Sequence, residues 1–253
     1  MLGLPVKTTI GEPFIELSTV NSTNIYAMSQ LQANLAEHGA AFFAHHQFDG
    51  KGQRGKKWQA SPSKNLILSV IINIKPLASS PIFGLHCFSA LACIDLLKPI
   101  IPDELYIKWP NDIYWRDRKA GGILIETIVR EGIPQFAVVG IGLNINEDSF
   151  PEITKKAVSI KQITGKEYEP VELAKKLCVF LNDRYTSLVV DNMHQQLEAF
   201  NSYLFKRNEM VKLKKNNAIA NYLIKEVNTR GELVVEAGIT HHFQFGEVEW
   251  LTY

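Results

Sequence analysis

Between Gln47 and Trp58 the chain reads QFDGKGQRGKKW, three glycines interleaved with basic residues and closed by a tryptophan. Glycine has no Cβ, so the backbone at Gly50, Gly52 and Gly55 can turn its N–H groups inward and come close to a ligand. Lys51, Arg54, Lys56 and Lys57 surround that cradle with positive charge, and Trp58 offers a flat face for a ring. Such a loop suits a phosphate or a carboxylate. It is not G-x-x-x-x-G-K-[ST], because no Ser or Thr follows a Gly-Lys pair at the required place. It is not a dinucleotide G-x-G-x-x-G either, since a basic stretch follows the glycines where a helix should start.

Three further stretches place polar or glycine residues at strand ends: Ser22-Thr23-Asn24, residues 108–112 with 119–124, and residues 140–146. Binding groups in mixed folds concentrate on such loops, held by the sheet behind them. Each has a plainer reading. Ser22-Thr23-Asn24 is also an ordinary helix N-cap cluster, and Trp58 is also a core aromatic. Lys108 is also a solvated strand-end charge, and Asn144 is also turn chemistry. His45-His46 lacks a second ligand pair and reads as strand-end polarity, so no metal site is expected. Lys206, Lys212, Lys214, Lys215 and Lys225 read as a solvated strand face, because the stacking aromatics of an RNA surface are not interleaved with them.

The elements that must hold these residues follow from periodicity. A strand is predicted over residues 14–17, and a helix from Ser22 carries Ile25, Met28, Leu31 and Leu35 on one stripe until Gly39. Strands follow at 40–46 and 66–74, the latter (LILSVIINI) rich in β-branched residues and so buried. Ser79-Ser80-Pro81 caps a helix that turns Leu85, Phe88, Leu91 and Leu96 inward. A strand over 105–108 breaks at Pro110-Asn111-Asp112, with a stiff extended exit through Trp109-Pro110. Residues 113–115 leave the break, and 122–129 with 135–141 form a hairpin through Glu131-Gly132. Helices are predicted at 171–188 and 194–204. From Asn208 the pattern becomes short strands, a small β-barrel module.

At 253 residues, 46% hydrophobic and 21% charged, the chain has the composition of an ordinary globular protein. A net charge of +1 argues against a general nucleic-acid binder, so no DNA partner is expected. Three dispersed cysteines suggest neither a disulfide framework nor a zinc site. The first residues lack a leader pattern, and no apolar run reaches the roughly 18 residues of a membrane span. A cytoplasmic protein without a membrane partner is expected.

In this order, KWPND (108–112), RKAGGILIE (118–126) and GIGLNIN (140–146) resemble the biotin–protein ligase family, over nearly the whole chain. The resemblance implies an α+β fold: a mixed-sheet, biotin/lipoate ligase-like catalytic domain over 1–206 and a C-terminal SH3-like β-barrel over 207–253. It implies two steps, in which biotin's carboxylate attacks the α-phosphate of ATP, and a lysine of a biotin carboxyl carrier domain then displaces AMP. Bringing two anions together requires fixed positive charge and amide donors. By resemblance Lys108, Lys119, Arg54 and Asp112 are catalytic, the role of Asp112 being open between base, magnesium contact and structural hydrogen bonding. Biotin would be held by Ser22, Thr23, Asn24, Gln47, Gly50, Lys51, Lys119 and Gly121. ATP and the adenylate would be held by Gln53, Arg54, Lys56, Trp58, Asn111, Lys119 and Asn144. Magnesium would arrive with ATP and need few protein ligands.

Only 21 residues precede Ser22, too few for the winged-helix DNA-binding domain of some members, so a repressor role is not expected. The resemblance also allows a homodimer through sheet edges. A lipoate or octanoate ligase or transferase of the same fold is the rival enzyme, and a non-catalytic biotin or nucleic-acid binding protein the rival outside catalysis. One position departs from the family's G-R-G-R-x-G-R: Gln53 stands where an arginine linked to holding the adenylate is expected. That exchange removes a charge and a bidentate donor fork. Gln53→Arg is therefore expected to slow release of the activated intermediate in a single-turnover release assay, and an unchanged rate would refute the link.

Overall fold

The computed structural model describes residues 9–77, 83–130, 132–151, 156–190 and 193–251. The elements in chain order are β1 (Phe14–Val20), α1 (Thr23–Gln32), β2 (Ala41–Gln47), β3 (Gly50–Lys51), β4 (Lys57–Trp58), β5 (Leu66–Asn73) and α2 (Phe83–Leu97). There follow β6 (Leu105–Lys108), β7 (Asp112–Trp115), β8 (Arg118–Arg130), β9 (Ile133–Leu143), α3 (Ile160–Thr164), α4 (Pro170–Val190) and α5 (Met193–Ser202). The chain ends with β10 (Met210–Lys215), β11 (Ala218–Val227), β12 (Leu233–Ala237), β13 (Ile239–Phe243) and β14 (Glu249–Leu251). The expected cap at residues 79–81 and Glu131 of the expected turn lie outside the described residues.

Among the described residues seven strands form one mixed sheet in the order β1-β2-β5-β9-β8-β7-β6. β1 and β2 run parallel and the other neighbours antiparallel. β5 is central and apolar on both faces because both are covered. Leu66, Leu68, Val70 and Ile72 join the large core with α2 and α4, while Ile71 joins a smaller core under α1 with Phe42 and Val138. Each such side chain contributes roughly 1.5–3 kcal/mol by leaving water. Ser69 is the polar exception on the α1 side, fully buried.

α1 departs from its predicted register. It ends at Gln32, Asn34 adopts a left-handed φ of 56°, and Leu35 is 74% exposed. Of the predicted stripe Leu31 is buried and Met28 packs partly buried against the smaller core, while Thr23, Asn24 and Ala27 complete the buried face. Polar Asn24 turns inward because the sheet beneath supplies partners for it, and satisfied polar groups can be buried. Gly39, φ 95°, serves the turn into β2 and not the end of the helix. The chain turns at Trp109-Pro110, whose peptide is cis, and does not run on extended. The short α3 escaped the periodicity; Ser159 and Gln162 form a capping box at its start.

The last strands form a five-stranded antiparallel sheet, β13-β12-β11-β10-β14, an SH3-like module. Lys206, Lys215 and Lys225 pair there with Glu209, Glu247 and Glu236. The module is tied to the helical layer through Asn201, 7% exposed, whose amide donates to Val227 O at 2.9 Å and accepts from Val227 N at 2.7 Å. Asn201→Ala would orphan two buried backbone groups, a cost of about 2–4 kcal/mol. A lowered urea midpoint with an unchanged slope is the expected outcome.

Candidate active site

A cavity of about 400 Å³ opens on the α1 side of the sheet, between α1, the loop carrying β3 and β4, the β6–β7 turn and the C-terminal module. Strand alternation decides which residues reach it. Gly140 and Gly142 of β9 and Leu124 of β8 face it, whereas Val139 and Leu143 turn to the core.

One end is polar. Ser22, 2% exposed, occupies the N-cap position of α1, yet its side chain makes no capping hydrogen bond. Gln47 Oε1 accepts from Thr23 N at 2.9 Å and Thr23 Oγ1 at 3.3 Å. Ser69 Oγ lies 2.7 Å from Thr23 Oγ1 and 2.6 Å from Asn24 Oδ1, and its single proton serves one of them at a time. Asn24 Nδ2 donates to Glu126 at 2.8 Å. A Cβ at Gly140 would collide with the Asn24 amide, so the strand passes this network only because that residue is glycine.

The glycine-basic loop folds over the cavity. Gly50 pairs with Trp58 and Lys51 with Lys57, and a 3-10 turn over Gln53–Gly55 forms the tip. The Trp58 indole packs against Gly142, where a Cβ would stand 2.5 Å from its Cε2. Its Nε1 is buried without a hydrogen-bond partner among the described residues, a donor left for an acceptor in the cavity. Gln53 Nε2 donates to Ile123 O at 3.5 Å, at the outer limit of such bonds. Arg54, Lys56 and Lys51 are exposed, and all three line the opening.

The opposite end is charged. Lys119 Nζ donates to Asp112 Oδ1 at 2.6 Å, and both line the cavity. The contact ties the Asp112 carboxylate to the Lys119 ammonium. Asn111, 9% exposed, lines the cavity and donates to Ile123 O at 2.7 Å. Asn144 spends its amide nitrogen on the carbonyls of Lys119 and Val158 at 3.3 and 3.2 Å, tying the lysine-bearing strand to its neighbour.

Lys108 is the surprise. It does not line the cavity and sits behind its wall, 8% exposed, with Nζ 4.8 Å from the Tyr114 ring centre, 5.4 Å from Trp250 and 5.6 Å from Phe205. Its Nζ also donates to Tyr114 OH at 3.2 Å. Burial lowers its pKa from 10.5 to about 8, helped by the positive charges of Lys119, Lys156 and Lys56 against the pull of Asp112. Gly50 and Gly121 are not among the lining residues either; the other expected residues line the cavity. Sequence reasoning missed Ser69, whose signal was a lone polar residue in an apolar strand. It also missed Phe245, Gly246, Val248 and Trp250, which close one side from the C-terminal module and carry no local signal.

Sheet and cleft define an α+β small-ligand domain with a polar end, a basic end and a glycine-basic loop that carries Trp58 over the cavity. The family model of the Biotin/lipoate A/B protein ligase family matches residues 17–144, and the chain belongs to that family. It is 33% identical over 129 residues to the bifunctional ligase/repressor BirA of Escherichia coli (strain K12), 51% of this chain and 39% of that one. It is 31% identical over 165 residues to a biotin–[acetyl-CoA-carboxylase] ligase of Paracoccus denitrificans, 62% of this chain and 66% of that one. The chain thus matches well under half the length of the Escherichia coli relative. The fold is that of the biotin protein ligase of Aquifex aeolicus solved with biotin and ATP, with a TM-score of 0.80 at 24% identity, covering 93% of this chain and 97% of that one.

A lysine whose folded pKa lies below its unfolded one carries its charge only below the folded value. Lys108 therefore loses its charge as pH rises through about 8. Pyrophosphate affinity of the ligand-free protein, followed by calorimetry, is expected to weaken across that range. Lys108→Arg, charged at all these pH values, should remove that step.

Proposed function

We propose that the chain is a biotin–protein ligase, joining biotin to ATP as biotinyl-5′-AMP and passing biotin to a lysine of a biotin carboxyl carrier domain. One observation carries the reading: a single cavity joins the Ser22, Thr23 and Gln47 cluster at one end to Lys119, Asp112 and Asn111 at the other. The first end offers donors and acceptors to a buried ureido group. The apolar floor between them suits a bicyclic body, and the basic end suits the carboxylate and α-phosphate. Biotin's carboxylate oxygen attacks the α-phosphorus, the bond to the bridging oxygen breaks, and pyrophosphate leaves with the electron pair. Lys119 and the field of Lys108 offset the charge that gathers there. Magnesium comes as part of the nucleotide substrate. In the second step the acceptor amine attacks the mixed anhydride, AMP departs, and the amine's proton passes to solvent or base.

Residues 1–206 would form the catalytic domain and 207–253 the module that completes its wall. All three cysteines are free and buried, which suits a reducing compartment such as the cytoplasm. Among the described residues no helix is long and apolar enough to cross a membrane. The deciding experiment is isotope exchange between pyrophosphate and ATP with biotin, lipoate or octanoate as the acid. Exchange dependent on biotin is expected. Exchange with lipoate or octanoate alone would move the chain to the other branch of the family, and none with any acid would overturn the enzyme reading.

A further inference from the structure

The tip of the glycine-basic loop has few anchors outside itself. Its internal bonds, Gly52 N to Lys56 O at 2.7 Å and Lys56 N to Gln53 O at 3.2 Å, shape it without fixing its place. Among the described residues the tip's hydrogen bond toward the main sheet is the long Gln53 contact to Ile123 O. On the other side Arg54 reaches the C-terminal module. Its guanidinium lies 5.5 Å above the Phe245 ring and against Gly246, where any Cβ would occupy the place of Nη2. Gly246 itself has φ 93°. Phe245 is backed by Trp109 at 6.4 Å, edge to face, and Trp109 Nε1 in turn donates to Gly231 O at 3.0 Å within the module. Arg54 has φ 56° and ψ 41°, a left-handed conformation uncommon for a non-glycine residue.

The geometry points to the Phe245-Gly246 turn as a positioning site for the loop: it seats the Arg54 guanidinium and thereby holds Gln53 and Trp58 over the cavity. The module then acts on the nucleotide end of the site without supplying a reacting group. Phe245 and Gly246 are positioning residues, and the kinetic part of the inference rests on the ligase reading.

Limited trypsin digestion of the full chain without substrates tests the contact independently of activity, because Arg54 and its neighbouring lysines are cleavage sites once the tip lifts. Phe245→Leu keeps apolar bulk against Trp109 but removes the ring face, while Phe245→Tyr keeps the ring. An exposed cation–ring contact of ordinary strength predicts cleavage at residues 51–57 about two- to fivefold faster for Phe245→Leu, and unchanged for Phe245→Tyr. In pyrophosphate exchange the same Phe245→Leu change should raise KM for ATP by a similar factor and leave KM for biotin near the parent value. Equal cleavage of Phe245→Leu and parent, or acceleration spread evenly over sites outside the loop, would overturn the proposal. If no acid supports exchange, the ligase reading fails while the digestion still decides the contact.

Discussion

The site depends on how closely other groups can approach the backbone of β9. At Gly140 the Asn24 amide occupies the place of a side chain, and at Gly142 the Trp58 indole does the same. These residues share one face of a strand that is also bonded on both edges, to β5 and β8. The polar end of the cavity and the seat of the lid are thus two consequences of one bare stretch of sheet. Side chains at either position would push α1 or the loop away, and the polar network would lose its geometry before it lost its residues.

Electrostatics is layered behind that surface. Asp112 and Lys119 meet on the cavity wall, and Lys108 stands behind them among three aromatic rings. Ring faces and the Tyr114 hydroxyl offset part of the cost of burying an ammonium that, among the described residues, has no carboxylate at contact distance. The arrangement keeps positive potential near the basic end of the cavity while shielding its source from water. A solvated lysine would have given a weaker, salt-screened field.

Much of this was legible in the chain. β5, the β8–β9 hairpin, α2 and α4 follow from apolar period and length, and the structure extends or trims their ends by a few residues. Most of the residues singled out as binding groups meet at one cavity. What escaped was long-range. Local pattern makes α1 an apolar stripe, but the sheet beneath selected Asn24 as its inward face. Lys108 looks solvated because its cage is assembled from β7, the segment after α5 and the last strand. The wall from the C-terminal module depends on how two sheets are placed, and no spacing within 207–253 encodes that.

The path between those sheets has its own significance. After α5 the chain runs beside β6, with Ile107 N donating to Tyr203 O at 2.7 Å and Phe205 N to Ile107 O at 2.9 Å. The connector thus covers the outer rim of the seven-stranded sheet, where unpaired amides invite association with foreign strands. A chain shortened to end before Tyr203 would lose more than its last module: it would bare a sticky flank and would be prone to precipitate rather than to survive as a smaller soluble unit.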